Sequence, residues 1–312
     1  MEYFIGIDLG GTFIKGGIVD KQGNILVKDK TPTQANLGND KVVNNIARLC
    51  ESLLKQANIN KDGVKIGVGT PGIVDSEKGI VVLAENLGWD NFPVAEKLTT
   101  LTGMQVKLGN DANAAALGET KFGSGKAYEN TVFVTLGTGV GGGVIIDGKL
   151  FEGVRSAGTE LGHTVIKVDG EKCSCGRKGC LEAYASATAL IRETKRAMQK
   201  NPASKLWEVG DLDKVTGKTA FDYYSIDKTA KKVVDKYIKM LGVGLTNFAN
   251  EFRPEAILLG GGVCAQGDSL IKPLQKFVDK EIFAGPRGPQ VKILKATLEN
   301  DAGLLGAAAL VM

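Results

Sequence analysis

The chain uses one pattern twice: apolar strand, glycine turn, strand, second turn, strand. Tyr3 to Asp20 reads Tyr-Phe-Ile-Gly-Ile-Asp8-Leu-Gly10-Gly11-Thr12-Phe-Ile-Lys15-Gly-Gly-Ile-Val-Asp20, and Lys21-Gln-Gly23-Asn24 then turns into a third run, Ile25 to Lys28. Thr131 to Leu150 repeats it, with Gly137-Thr138-Gly139 at the first turn and Asp147-Gly148 at the second. Short apolar runs bounded by such turns are hairpin strands. Self-similarity on this scale predicts two related α/β lobes, each opening on a three-strand meander. At 312 residues the chain is long enough to give each lobe a core.

The remaining segments fit that plan. Asn39 or Asp40 is placed to cap a helix whose apolar face carries Val42, Val43, Ile46, Leu49, Leu53 and Leu54. Val64 to Gly69 reads as a buried strand ending in Thr70-Pro71-Gly72. Val106 to Leu108 is a strand that stops at Asn110-Asp111, before a helical run from Ala112 to Glu119. Asp227 to Glu251 is a long helix stopped by Arg253-Pro254. Ala256 to Leu259 is a strand ending in Gly260-Gly261-Gly262, and a final helix spans Asp301 to Met312. The lobe junction is expected just after Asp111. Residues 1–115 with a returning 299–312 would form the smaller lobe, and 116–298 the larger.

Charge and composition exclude several classes. A net +4 from 39 basic and 35 acidic residues is too mild to argue for nucleic acid or an anionic membrane. A strand-like run begins at once, without a secretory signal, and the apolar tail from Gly303 is too short to span a bilayer. The expected location is the cytoplasm, where clustered cysteines are metal ligands more often than disulfides.

Three of the five cysteines and the only histidine fall between Glu160 and Glu182. The segment reads Glu160-Leu-Gly-His163, then Cys173-Ser-Cys175-Gly-Arg-Lys-Gly179-Cys180-Leu-Glu182. Three thiolates and one imidazole make a closed tetrahedral shell for zinc, with no open position, so the metal is expected to be structural. Gly176 and Gly179 let the chain fold back between ligands. Cys50 and Cys264 lie far off and read as small core residues. Glu160 and His163 are three apart and share a face on a helix or tight turn, with Glu182 placed to join them. Carboxylates there suit vicinal sugar hydroxyls, or are simply solvated.

The two glycine turns point to phosphate. Glycines let backbone N–H groups approach phosphate oxygens, and an acid such as Asp8 beside them can hold Mg²⁺. This is not a Walker A loop, because a strand rather than a helix follows it. Plain hairpins without a ligand are the alternative. Asp111, at a helix N-terminus, would be kept ionised by the dipole and could accept a hydroxyl proton during phosphoryl transfer, or could merely cap the helix. Gly260 to Gly262 would let a flat ring lie against the backbone.

These residues together resemble the ROK family of sugar kinases, named for repressors, open reading frames and kinases. The resemblance covers essentially the whole chain. It rests on Ile5-Gly-Ile-Asp8-Leu-Gly10-Gly11-Thr12, Gly69-Thr-Pro71-Gly72, Asn110-Asp111-Ala-Asn113-Ala, Leu136-Gly-Thr138-Gly139, Glu160-Leu-Gly162-His163, the cysteine motif with its trailing Glu182, and Leu259-Gly-Gly-Gly262. It implies two ribonuclease-H-like lobes of the actin-like ATPase kind with ATP in an interlobe cleft. Asp111 would be the catalytic base. Gly72, Asn86, Asn110, Asp111, Glu160, His163 and Glu182 would bind the sugar. Asp8, Gly10, Gly11, Thr12 and Lys15 would serve Mg²⁺ and phosphate, Thr138 and Gly139 the second phosphate loop, and Gly261 and Gly262 the adenosine. His163, Cys173, Cys175 and Cys180 match the zinc ligands. Phe13 departs from the family, where many relatives are polar.

The activity implied is ATP-dependent phosphorylation of a hexose 6-hydroxyl. Asn86-Leu-Gly88-Trp89 with Phe92-Pro93 is similar to the glucose-phosphorylating members, so glucose is expected, with acetamido sugars and fructose as alternatives. Asn86 would lie over the sugar, and Trp89 would be an apolar wall or packing. A sugar-responsive repressor is the competing class. Its helix-turn-helix would precede the first strand, where only a few residues stand here. A sugar-binding module without catalysis is a third reading, disfavoured by Asp111 beside two phosphate turns. Homodimers or larger assemblies are expected, with no nucleic acid or membrane partner.

Overall fold

The computed structural model describes residues 2–312. In chain order the strands and helices are β1 (Tyr3–Leu9), β2 (Phe13–Asp20), β3 (Ile25–Pro32), α1 (Asn39–Ala57), β4 (Lys65–Thr70), β5 (Ile73–Asp75), β6 (Ile80–Ala84), β7 (Trp89–Phe92), α2 (Val94–Thr102), β8 (Gln105–Asn110) and α3 (Asp111–Phe122). There follow β9 (Thr131–Leu136), β10 (Val140–Ile146), β11 (Lys149–Phe151), α4 (Glu182–Ala185), α5 (Ala187–Lys200), α6 (Thr219–Asp222), α7 (Lys228–Phe252), β12 (Ala256–Gly260), α8 (Asp268–Glu281), β13 (Lys292–Lys295) and α9 (Ala302–Ala309).

The repeat appears as two five-stranded sheets with the same strand order. One is β3-β2-β1-β4-β8 and the other β11-β10-β9-β12-β13. In the first, β1, β2 and β3 pair antiparallel, and β4 and β8 join in parallel. In the second, β10 and β11 are antiparallel while β9, β12 and β13 run parallel. The central strands β1, β4 and β12 are almost wholly buried, whereas the edge strand β3 alternates toward solvent. A third sheet, β5-β6-β7, was not legible from its short strands.

The chain forms two compact units: Met1–Glu129 with Gly143–Thr159 and Thr297–Met312, and Asn130–Gly142 with Glu160–Ala296. In the first, α1 buries the apolar stripe read from the sequence. Its cap differs from expectation. Gly38, at φ 99°, occupies the N-cap position without a side-chain bond, so neither Asn39 nor Asp40 caps the helix. Helices α3 and α9 meet backbone to backbone: a Cβ on Gly118 would lie 2.5 Å from Ala302 O, and one on Gly306 would collide with Ala114 O. Glu119 of α3 is 0 % exposed and accepts from Ser124 N, Thr297 N and Leu298 N at 3.2, 3.1 and 2.6 Å. It thereby ties the end of α3 to the segment leading into α9.

Candidate active site

In the first unit the candidate residues gather at the carboxyl edge of one sheet. The register pairs Asp8 with Gly69, Gly69 with Gly109, and Thr70 with Asn110. Parallel strands β1, β4 and β8 therefore end side by side, the edge where open α/β sheets bind ligands. Asp8 is salt-bridged to Lys15 at 3.3 Å across the β1–β2 pair. A Cβ on Gly303, in the first turn of α9, would sit 3.0 Å from the Asp8 carboxyl carbon, so that helix end lies directly against the carboxylate. Gly11 and Thr12 are exposed at the turn, and Asn86, exposed on a 3₁₀ turn, has its Nδ2 3.6 Å from where a Gly11 Cβ would be.

Asn110 and Asp111 divide the work at the start of α3. Asn110 is the cap: its Oδ1 accepts from Ala112 N at 2.9 Å and Asn113 N at 3.2 Å, and its Nδ2 donates to Gly72 O at 3.1 Å. The capping alternative for Asp111 is thus taken by its neighbour. Asp111 is the first residue of the helix, half-buried, with Oδ1 2.8 Å from Ala112 N. A carboxylate at this position is stabilised in its charged form by the positive end of the helix.

In the second unit β9 and β12 are parallel neighbours, with Gly260 paired to Thr135, so both of their glycine turns lie at one sheet edge. Gly261 has φ +85°, and a Cβ there would stand 2.6 Å from the Leu136 backbone, whereas a Cβ on Gly262 meets nothing within 4 Å. Gly261 is accounted for by the fold and Gly262 by open space. Gly139 has a specific cause: a Cβ would come within 2.5 Å of Glu182 Oε2, which accepts from Val140 N at 3.1 Å.

Glu160 caps a single 3₁₀ turn, Leu161–His163, and its carbonyl accepts His163 N–H at 3.0 Å. Glu160 precedes the turn with non-helical ψ of 62°, and the link to His163 that the structure shows is this backbone bond. Glu182 is engaged on both oxygens, with Ser174 Oγ donating to Oε1 at 2.6 Å. Any hydroxyl it also binds would use the remaining lone pairs.

His163, Cys173, Cys175 and Cys180 bring their ligand atoms within 4.8 Å of one another. Zinc bonds of about 2.3 Å to sulfur and about 2.0 Å to nitrogen put tetrahedral S···S edges at ~3.8 Å and S···N edges at ~3.5 Å. Cys175 and Cys180 Sγ are 3.7 Å apart, and Cys173 Sγ is 3.5 Å from His163 Nδ1. The four therefore fit one four-coordinate ion, and Nε2 of His163 is left on the far edge of the ring. Positive φ at Gly176 and Gly179 turns the loop back between the ligands. Burial pushes the Cys180 thiol up to about 12, with Cys175 and Cys173 adding to the effect. Cys50 and Cys264 are buried core residues, as expected.

The ROK family model matches residues 4–312. The chain belongs to the ROK family. It is 39% identical to a glucokinase of Halalkalibacterium halodurans, over 99% of this chain and 95% of that one. Among solved structures it is similar to a ROK glucokinase of Streptomyces griseus in complex with glucose and AMPPNP, at 34% identity and TM-score 0.81, covering 99% of this chain and 98% of that one. It is also similar to a ROK hexokinase of Thermus thermophilus, at 32% identity and TM-score 0.83, covering 98% and 96%.

Of the two readings for Trp89 in this ROK protein, apolar wall or packing, its burial favours packing. The residue is 1% exposed, belongs to the core of the first unit, and stacks on Phe92 with ring centroids 5.0 Å apart. Two residues that the motifs did not mark also touch the site. Thr33, wholly buried, donates its hydroxyl to Gly10 O, and Ser174 holds Glu182. Ser174 lies inside the cysteine motif and could have been found there, whereas nothing local flags Thr33.

Proposed function

We propose that this ROK protein transfers the γ-phosphoryl group of ATP to the 6-hydroxyl of glucose. The reading rests chiefly on one observation: Asp8 and Asp111 stand at the same sheet edge, two strands apart, while Asn110 does the capping. Two strand spacings amount to about 10 Å. That leaves room for a phosphoryl group between a residue beside the phosphates and a base beside the acceptor.

Asp111 takes the proton from the 6-hydroxyl as that oxygen attacks the γ-phosphorus, and the bond to the ADP oxygen breaks. Backbone N–H groups of the turn at Gly10–Thr12 serve the developing charge in this proposal, and the turn at Gly137–Gly139 is a second phosphate-binding turn. Mg²⁺, for which Asp8 is the ligand in this proposal, supplies charge neutralisation along the phosphates. Lys15 steadies Asp8, and Gly262 leaves space for the adenosine. In this proposal Glu160 and the free edge of His163 read vicinal hydroxyls, and Asn86 and Asn110 are further hydrogen-bonding groups for the sugar. His163, Cys173, Cys175 and Cys180 would hold Zn²⁺, which supplies rigidity to the turn bearing Glu160 and Glu182, since four protein ligands leave no open position.

The test is ADP release measured with glucose, mannose, N-acetylglucosamine, N-acetylmannosamine and fructose. Turnover is expected to be fastest with glucose. Absence of any sugar-dependent turnover would reject the kinase, and best turnover on an acetamido sugar would reject glucose alone. Self-association and a cytoplasmic location belong to the same proposal. Among the described residues no helix is long and apolar enough to cross a membrane.

A further inference from the structure

The two glycine–threonine turns have their carbonyls tied back in the same way. In the first, the Thr33 hydroxyl donates to Gly10 O at 2.6 Å and Thr33 N–H donates to Thr12 O at 2.9 Å. In the second, Ala187 N–H donates to Gly137 O at 2.8 Å and the Thr188 hydroxyl donates to Thr138 O at 2.8 Å. Each turn thus gives two carbonyls to one backbone N–H and one threonine hydroxyl. The internal repeat does not explain the match. Thr33 follows the last strand of its meander, whereas Ala187 and Thr188 open α5, and Thr188 stands 50 residues from the turn it braces.

The shared feature is electrostatic. In a trans peptide the C=O of one residue and the N–H of the next point in opposite directions. Among the described residues no peptide is cis. Drawing Gly10 O inward therefore sends Gly11 N–H outward, and tying Gly137 O and Thr138 O sends out the N–H groups of Thr138 and Gly139. Gly11 and Thr138 are exposed and Gly139 is half-buried, which leaves these donors room to meet an outside acceptor. Tight hairpins prefer turns with positive φ, yet none of the residues Gly10 to Thr12 or Gly137 to Gly139 has it. Those turns are two-residue loops; the loops here are longer, and the side-chain and backbone braces add to whatever support the turns have. Thr33 is itself fixed, being 0% exposed, with its carbonyl accepting from Asn45 Nδ2 at 3.3 Å.

We infer that Thr33 and Thr188 are positioning residues, each of which holds its own turn with the amides outward for phosphate oxygens of a nucleoside triphosphate. The inference rests on the kinase reading above. It assigns to two hydroxyls outside the glycine motifs the task of keeping carbonyl oxygens away from the anion.

Thr33→Val and Thr188→Val remove the hydroxyls and keep the shape; Thr33→Ser and Thr188→Ser keep the hydroxyls. Binding of Mg-AMPPNP and of glucose is measured by calorimetry for each, alongside KM for ATP and for glucose. Each valine variant is expected to weaken the nucleotide about fivefold, and the double variant by about the product, because one neutral hydrogen bond is lost per turn. Glucose binding should change less than twofold, and the serine variants should bind nucleotide as the parent does. Valine variants that bind Mg-AMPPNP like the parent would overturn the inference. So would equal losses for nucleotide and glucose, which would mean general loosening. Thr188 is exposed, so its variant is a folded control on the buried site. A parent chain that binds no Mg-AMPPNP would remove the kinase reading and the braces with it.

Discussion

Replacing Glu119 by alanine should destabilise the first unit more than any surface change. The carboxylate is fully buried and is the acceptor for three backbone N–H groups, of Ser124, Thr297 and Leu298, with the Ser124 hydroxyl at 3.4 Å as a fourth donor. Leaving a buried donor unsatisfied costs about 1–3 kcal/mol, and hydrogen bonds to charged groups lie in the upper half of the usual range. The losses are not additive, since water can enter and the loop can relax. Glu119→Ala is therefore expected to cost about 4 kcal/mol, from several buried N–H donors left without their acceptor, and to lower Tm by about 10 °C. Glu119→Gln keeps one oxygen but turns an amide N–H₂ toward N–H donors, and should cost about half as much. Urea unfolding followed by Trp89 fluorescence in a Trp207→Phe background reads this unit, because Trp89 is buried in its core and Trp207 lies in the other. A loss below about 0.5 kcal/mol for Glu119→Ala, the size of an ordinary surface effect, would refute the reasoning. So would a glutamine variant less stable than the alanine.

Other outcomes follow from single contacts. Gly306→Ala drives a methyl into Ala114 O where α9 meets α3, and should cost at least about 3 kcal/mol in the same urea titration. A strong chelator should lower the Tm of the second unit while metal-replete protein keeps its Mg²⁺ requirement for turnover, which separates the two ions by calorimetry and assay. Burial works to raise the Asp227 carboxyl, but the N–H groups of Ala230 and Lys205 and the Ser204 hydroxyl outweigh it and hold it below the usual carboxylate range. A depressed folded pKa gives stability that is present above the unfolded value and lost as pH falls through the folded one. Asp227→Asn keeps the cap of α7, so its deficit against the parent at pH 7 should shrink between about pH 5 and pH 3, as melts across that range will read.

The fold was legible where sequence spacing and physics coincide. Asp8-Leu-Gly10-Gly11-Thr12 and its echo at Gly137-Thr138-Gly139 announced two meanders, because strands leave alternating apolar runs and hairpins need small turn residues. The Cys/His cluster was legible because three cysteines and one histidine within twenty-odd residues have few other uses. Adjacent capping candidates were not separable: Asn110 and Asp111 are both good caps, and only the geometry gives the task to Asn110. Gly38 supplanted Asn39 and Asp40 for the same reason. Glu119 in an Ala-rich helix reads as a solvent-facing charge, and only the return of residues 297 and 298 makes it an acceptor. Thr33 is invisible as a brace, because its partner carbonyls lie more than twenty residues away in sequence. Trp89 beside Asn86 carried two readings, wall and core, which only its burial could separate.

The claim on which the account turns is that Asp111 accepts the sugar's proton. Glucose-dependent ADP release by Asp111→Ala, set against the parent protein with both substrates saturating, tests it most directly. The account predicts a fall of about 10²–10⁴-fold in kcat, the size of a general-base contribution. A variant that turns over within threefold of the parent would contradict it.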